Sequence, residues 1–360
     1  MAYTAIDNPE LYFQTVLYQG NSGTLAVTLD GSVDMQPDWV WIKARSGTDA
    51  VVNHALYDSV RGTSKQLKAN NTSADLAQGG ITSFDSDGFT LGSYIDANYN
   101  GNNCVAWCWK AGTAFSNDAS ATSVGSIDSA GSVNTDAGFS IIGYTGAGDG
   151  SGSSAQTVAH GLGVAPEMII VKNRADATNW YVYHHKNTAA PATDVLYLNL
   201  DSATADDDGP WNDVAPTSSV FTVGGDNGTN GNGDGMIAYC FAEKQGYSKF
   251  GSYTGNGNAD GAFIYLGFKP VFCMFRNTTG DKWSIFDGVR NTFNEVDNNL
   301  RPNLNEAEVD QANKEVDFLS NGIKIRTSSG EWNGSGHNLV FMAFAENPFV
   351  NSNKVPTNAR

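Results

Sequence analysis

Cysteine and histidine are the side chains best suited to nucleophilic or zinc chemistry, and the chain holds four cysteines and five histidines. None of the histidines lies in a nucleophile elbow or a metal-binding His–Glu pattern, and no Cys-x-x-Cys pair occurs. Cys104 and Cys108 belong to one predicted strand, where four residues span about 13 Å, too far for a disulfide. The sequence therefore predicts reduced, buried cysteines and structural histidines.

Carboxylates are the remaining source of acid–base chemistry. The chain has 38 Asp and Glu residues, and two of them at a suitable separation would be enough for a glycosidase. No carboxylate lies in a motif that supplies a mechanistic partner. We therefore expect a protein that is not an enzyme, and a polysaccharide depolymerase stays as an alternative.

Loops rich in Asp, Asn and Gly offer oxygen ligands for a cation. In DNGTNGNGDG, the side chains of Asp226, Asn230, Asn232 and Asp234 could surround calcium if the loop turns back on itself. The same residue types also build ordinary hairpin turns, and the closing glutamate of an EF-hand loop is absent. No cofactor is predicted, and calcium is the one candidate ion.

Two tryptophans lie in loops of small polar residues, Trp211 in GPWND and Trp332 in GEWNGSGH. An exposed indole could stack on a sugar ring while Asn227 and Asn333 hydrogen-bond to its hydroxyls. Either ring could instead close the end of a core or face a neighbouring subunit. These four residues form the predicted ligand-binding set.

A series of motifs that occurs three times must position all these residues. Each copy opens with a Tyr-x-Gly turn, continues to a proline followed by an apolar strand with a basic residue six positions on, and closes with an aromatic strand. The three sets begin at Tyr18, Pro37 and Val105; at Tyr144, Pro166 and Ile237; and at Tyr253, Pro270 and Val340. Aligning the copies places Val40, Ile169 and Cys273 at one position, and Cys108, Cys240 and Ala343 at another, so both positions favour buried apolar residues.

The repeat sets the predicted domain boundaries. Three diverged copies cover residues 1–113, which include an N-terminal anchoring segment, 138–245 and 246–350, and a short tail covers 351–360. Residues 114–137 are rich in Ser, Ala, Asp and Gly and form either a linker or an added pair of strands.

Composition indicates the fold class. Forty glycines and only 16% charged residues suit short strands joined by tight turns, and a copy of about 105 residues has the size of a small β-sandwich. We predict an all-β protein of tandem sandwich units of jelly-roll or lectin-like type. One segment, LNEAEVDQANKEVDFL from Leu304, favours a short surface helix at most.

The formal charge of −17 disfavours nucleic acid as a partner, because binding to phosphates needs clustered Lys and Arg. No apolar run reaches the roughly 18 residues that would cross a bilayer, so membrane insertion is not expected. The start of the sequence does not read as a signal peptide.

Several long motifs resemble a known group of proteins. The segments QPDWVWIKAR, FDSDGFTLG, VAWCWKAG and HGLGVAPEMIIVKNR are similar to the repetitive β-rich domains of tail-fibre-like proteins of marine bacteriophages, notably cyanophages and pelagiphages. The resemblance covers nearly the whole chain, from Tyr12 to Val350. It supplies no catalytic residues to carry over.

This resemblance implies a virion protein, assembled in the host cytoplasm and released by lysis, that contacts other virion proteins and binds a host-surface glycan or protein. A capsid or tail decoration protein without receptor binding is the structural alternative. Tail fibres are commonly trimeric, so the resemblance also implies a homotrimer. The chain departs from a long fibre because it has no heptad shaft and no collagen-like run.

Overall fold

The structure is a computed structural model of the chain and describes residues 4–150, 154–310 and 316–357. Strands and a few helical turns of four residues make up the fold, so the predicted all-β class is confirmed. The strands fall into three successive sets, which we call unit 1 (residues 13–109), unit 2 (residues 113–241) and unit 3 (residues 248–348). No helix in the described part of the chain is long and apolar enough to cross a membrane.

Unit 1 follows a short 3-10 turn, Pro9–Leu11. Its elements are β1 (Phe13–Gln19), β2 (Leu25–Val27), β3 (Trp39–Ser46), β4 (Ala55–Asp58), β5 (Lys65–Lys68), β6 (Leu76–Ala77), β7 (Ile81–Asp85), β8 (Gly88–Leu91), the helical turn α1 (Ile95–Asn98) and β9 (Asn103–Trp109). A large sheet has the strand order β1-β9-β3-β4-β5-β6, and a small sheet has the order β2-β8-β7.

Unit 2 carries an additional pair of strands at its start. Its elements are β10 (Thr113–Asn117), α2 (Ala119–Thr122), β11 (Ser129–Asn134), β12 (Phe139–Thr145), β13 (Gln156–Ala159), β14 (Met168–Asn173), β15 (Tyr181–His184), β16 (Asp194–Tyr197), β17 (Ala205–Asp206), α3 (Asp208–Trp211), β18 (Val220–Val223), α4 (Asn227–Asn230) and β19 (Gly235–Phe241). The large sheet has the order β10-β11-β12-β19-β14-β15-β16-β17, and β13 pairs with β18. Residues 114–137 therefore contribute strands to this sheet, which is the added-strand alternative.

Unit 3 repeats the arrangement of unit 1. Its elements are β20 (Ser248–Thr254), β21 (Phe263–Tyr265), β22 (Phe268–Asn277), β23 (Ser284–Asp287), β24 (Asn298–Asn299), β25 (Val309–Asp310), β26 (Val316–Leu319), β27 (Gly322–Ile325), α5 (Gly330–Asn333) and β28 (Asn338–Pro348). The larger sheet has the order β20-β28-β22-β23, the small sheet has the order β21-β27-β26, and β24 pairs with β25.

The helix expected from Leu304 is not present in the described residues. Residues 304–308 are irregular, β25 and β26 are strands, and residues 311–315 lie outside the described part of the chain. The Glu-, Ala- and Lys-rich composition favoured a helix, but pairing of β26 with β27 decides the local structure instead.

The large sheets use the repeated motifs in the same way. In each unit the closing strand lies between the Tyr-x-Gly strand and the strand that follows the proline. The register pairs Val40 with Cys108, Ile169 with Cys240 and Cys273 with Ala343, and all six side chains are fully buried. The predicted equivalence of these positions is therefore confirmed.

Each unit has its own apolar core between its large and small sheets. Val40 and Cys108 share a cluster with Phe89 of the small sheet in unit 1, and the clusters of units 2 and 3 combine the two sheets likewise. This arrangement is consistent with the expected tandem sandwich units, since alternate side chains of one strand face one core.

A further core joins the opposite faces of the three large sheets. It contains aromatic and aliphatic residues from all three units. Trp39 of unit 1 stacks on Tyr239 of unit 2 with 4.5 Å between ring centroids. Trp109 meets Phe272 of unit 3 at 5.6 Å, and Phe241 of unit 2 meets Phe344 of unit 3 at 6.2 Å. Each large sheet is therefore buried on both faces, which explains why its strands are apolar throughout.

The Tyr-x-Gly motif closes one end of each unit. The hydroxyls of Tyr18, Tyr144 and Tyr253 donate over 2.6 Å to the carbonyls of Ala97, Thr229 and Trp332. A buried asparagine follows each of these carbonyls: Asn98, Asn230 and Asn333. At the motif glycines, an added Cβ would lie within about 2.3 Å of a backbone carbonyl oxygen of this segment, so only glycine fits.

Candidate functional site

The two predicted sugar-stacking tryptophans are buried, as are all eight tryptophans of the chain. Trp211 packs edge-on against Tyr183 with 6.0 Å between ring centroids, and Trp332 packs edge-on against Phe286 at 5.0 Å. The Trp332 indole N–H donates to Ser284 Oγ over 2.9 Å. Stacking on a sugar needs an exposed ring face, so the expectation is corrected, and the packing alternative describes both rings.

The two asparagines of the predicted ligand-binding set lie in different environments. Asn333 is fully buried and donates Nδ2 to the carbonyls of Thr327 and Asn258, each over 2.7 Å. It therefore holds a loop together and cannot reach a ligand. Asn227 is exposed and donates to Asp176 Oδ2 over 3.0 Å.

The four predicted calcium ligands serve the folding of their own loop. Asp226 Oδ1 caps α4 by accepting from Gly228 N over 2.6 Å, and Asp234 Oδ2 accepts from Asn173 Nδ2 over 2.8 Å. Asn230 is buried with its Oδ1 accepting from the Ala147 N–H over 2.8 Å, and Asn232 is exposed. Among the described residues, no group of three or more His, Cys, Asp or Glu side chains is arranged to hold a metal ion. The contacts are those of the hairpin-turn alternative.

The cysteines and histidines occupy structural positions. All four cysteines are buried and free, and burial raises the pKa of Cys104 to about 11 and that of Cys240 to about 12. Thiols with raised pKa values are poor nucleophiles at neutral pH. Burial also lowers the pKa of His184 to about 3, so its ring is neutral, and Nε2 lies 3.1 Å from the Phe341 carbonyl of unit 3.

Buried ion pairs join unit 1 to unit 2. Arg61 pairs with Asp58 over 2.5 Å and with Asp75 over 2.6 Å. Asp75 also pairs with Arg174 of unit 2 over 2.9 Å. The Tyr239 hydroxyl of unit 2 donates to Asp58 over 2.7 Å. The carboxylates are thus compensated within the contact between the units.

An equivalent network joins unit 3 to unit 1. Arg290 pairs with Asp287 and, over 2.7 Å, with Glu308, and Glu308 pairs with Arg45 of unit 1 over 2.8 Å. The Trp107 indole of unit 1 donates to Asp287 over 3.0 Å. Burial acts to raise the pKa of Glu308, but hydrogen bonds and charges from Arg45 and Arg290 outweigh it and lower the pKa.

The contact of unit 2 with unit 3 differs from the other two, because Arg276 of unit 3 donates to the Ser202 carbonyl of unit 2. His184 takes the place of Asp58 and Asp287, and Asn338 Nδ2 of unit 3 donates to the Asn187 carbonyl of unit 2 over 3.0 Å. The Thr204 N–H donates to the Thr278 carbonyl over 2.9 Å. At the aligned position of units 1 and 3, Asp58 and Asp287 pair with Arg61 and Arg290. Units 1, 2 and 3 therefore contact one another in a closed cycle, and these polar groups are structural.

One surface groove holds two carboxylates that a hydrolase could use. It has a volume of about 460 Å³ beside the added strands of unit 2, and Asp118, Asp128 and Arg174 line it. Hydrogen bonds from Ser120 and the Ala121 N–H lower the pKa of Asp118. A general acid of a glycosidase needs the opposite, a raised pKa, so Asp118 is not suited to that role.

Exposed aromatic side chains on the small sheet of unit 3 are the residues that sequence reasoning missed. Phe263 and Tyr265 of β21 are 48% and 51% exposed, whereas Ile264 between them is buried. The signal was the apolar run AFIYLG, which by itself equally predicts a strand buried on both faces. We call these two residues the aromatic face, and it is the candidate binding surface of the molecule.

Comparisons with known proteins identify a family. A family model described as Domain of unknown function (DUF7483) matches residues 8–348, so the chain belongs to this family. The match extends over all three units. No curated protein and no solved structure matches the chain.

Proposed function

We propose that this member of the DUF7483 family is a non-enzymatic structural protein of a phage virion, tail-fibre-like, that binds a host-surface glycan or protein. The observation that carries the proposal is that the side chains best suited to chemistry are buried in structural roles. The tryptophans, the cysteines, and the Asp58, Asp287 and Glu308 carboxylates are used in cores and in contacts between units. Recognition is then a property of the outer surface.

The acidic character and the architecture support the same proposal. A net charge of −17 keeps a particle protein soluble and gives no advantage in binding phosphates. Three β-rich units in one chain also provide a rigid scaffold, on which loops and outer sheet faces can differ between units. The homotrimer stays a prediction by analogy, with other virion proteins as the proposed partners.

A capsid or tail decoration protein without receptor binding is the second candidate. Phe293, 76% exposed, favours it, because a large apolar side chain in water suits burial against a neighbouring subunit.

The test separates the two candidates. The purified chain, fluorescently labelled, is applied to host cells and to a non-host strain, and its place on purified particles is located with labelled antibodies. The proposal expects saturable binding to host cells alone and labelling at the tail. Labelling over the capsid or tail tube without cell binding would replace it with the decoration role.

A further inference from the structure

We propose that the aromatic face of unit 3, Phe263 and Tyr265, is a saccharide-binding site that stacks its rings on sugars of a host-surface glycan. The inference rests on the proposed function and specifies its ligand and residues. The two side chains are two positions apart on β21 and so project from the same side of the sheet. Their rings are about half exposed, while Ile264 points into the core of unit 3.

The neighbouring strand places a glycine beneath the Phe263 ring. Gly322 lies opposite Tyr265 in the pairing of β21 with β27. A Cβ at Gly322 would lie 2.1 Å from the Ile264 carbonyl oxygen and 3.1 Å from Phe263 Cε2, so no larger residue fits. The Phe263 ring therefore covers Gly322, and both half-exposed rings lie on the same side of this strand pair.

Polar groups border the two rings. Lys324 lies opposite Phe263, and its Nζ lies 2.6 Å from both the Gly261 carbonyl and Asp260 Oδ1. Beyond it, Asp317 pairs with Arg326 over 3.5 Å. Apolar ring faces with a few charged donors and acceptors beside them match the two sides of a sugar, which has C–H faces and hydroxyl edges.

The fold does not require aromatic residues at these positions. The corresponding positions in unit 1 are Ala26, which lies opposite Thr90 in the pairing of β2 with β8, and Thr28, which directly follows β2. In unit 2 they are Thr157 and Ala159, where β13 pairs with β18. Unit 3 therefore has two exposed aromatic rings at positions where units 1 and 2 have small residues. This difference points to a contact outside the chain.

The size of the surface favours a saccharide over a protein. A Phe or Tyr side chain offers about 200 Å² in all, so two half-exposed rings present about 200 Å² together. A stable protein interface needs about 800 Å² from each partner. One or two sugar units need far less, which makes a glycan the ligand that this face fits.

The test is a glycan array of hexose, N-acetylhexosamine and deoxyhexose oligosaccharides, together with polysaccharide extracted from the host envelope. The chain is compared with F263S/Y265S and with V164S, a control at an exposed apolar residue of unit 2. We expect the chain and V164S to bind a common set of glycans and F263S/Y265S to lose at least about tenfold in affinity.

A second variant, F263L/Y265L, guards against loss of folding, because leucine keeps apolar cover beside Gly322 but has no ring face. We expect it to melt within a few degrees of the wild type and to lose binding as F263S/Y265S does. Undiminished binding by F263L/Y265L would overturn the inference. If the wild-type chain binds host cells but no glycan, the saccharide-binding inference is overturned and the proposed function stands. If the wild-type chain does not bind host cells at all, both are overturned.

Discussion

At the scale of single residues, the buried ion pairs are stable because each buried charge lies beside an opposite charge. Desolvation of Arg290 and Asp287 is costly, and their mutual attraction, with Glu308 beside them, offsets that cost. At the aligned position of unit 2, His184 contacts the Phe341 carbonyl of unit 3, so this position does not require a carboxylate. Removing both Asp287 and Arg290 is therefore tolerable in principle, but removing only one of them leaves the buried charge of the other with less compensation.

Asp287→Asn should destabilise the chain by about 3 kcal/mol, because Arg290 keeps its charge, loses its fully buried partner and retains only Glu308, which Arg45 shares. The measurement is the free energy of unfolding in urea. Glu243→Gln is the matched control, since Glu243 and Lys249 are 3.9 Å apart and partly exposed, and it should change stability by less than about 1 kcal/mol. Equal effects of the two variants would contradict the role given to the Asp287 network.

Acidification should destabilise the chain through His184. Burial lowers its folded pKa to about 3, while the unfolded pKa is about 6.5. Between these values the unfolded chain binds a proton that the folded chain does not, so stability is lost as pH falls. The loss from this group is about 2 kcal/mol between pH 7.5 and pH 5.

The check is urea unfolding of the wild type and of His184→Gln at both pH values. Glutamine does not titrate, so the variant should show a smaller decrease in stability. An identical pH dependence in the two proteins would mean that His184 is not a buried neutral group in the folded chain.

At the scale of elements, the sequence predicts the strands that recur in all three copies. It does not predict features that depend on packing between residues far apart in sequence. The equivalence of Val40, Ile169 and Cys273 could be predicted because their strands keep the same spacing from a proline. The burial of Trp211 and Trp332 could not, since Gly and Asn around them indicate a turn and not whether it folds over a core. Local composition also predicted a helix from Leu304, where strand pairing prevails.

The buried asparagine at the end of each unit gives a test at this scale. Asn230→Ala should cost about 2–4 kcal/mol, because the Gly224 carbonyl and the Ala147 N–H would lose a buried partner. Asn232→Ala, at an exposed position of the same loop, should change stability by less than about 0.5 kcal/mol. Thermal unfolding of both variants measures the difference, and a small effect of Asn230→Ala would exclude this asparagine as a closing element.

At the scale of the whole molecule, three units share one core. Strands that are apolar on both faces indicate that each large sheet has a second buried face. The cycle of three contacts between the units could not be predicted, because it depends on partners more than 100 residues apart in sequence. Tyr239 meets Asp58, Trp107 meets Asp287, and His184 meets the Phe341 backbone. Because each unit supplies a third of the central core, a unit alone would expose a large apolar face.

Differential scanning calorimetry of the full chain tests the shared core most directly. If the three units pack around one core, they unfold together, and the calorimetric and van't Hoff enthalpies agree in a single transition. Three separable transitions, or a van't Hoff enthalpy near one third of the calorimetric value, would show independent units and contradict the account.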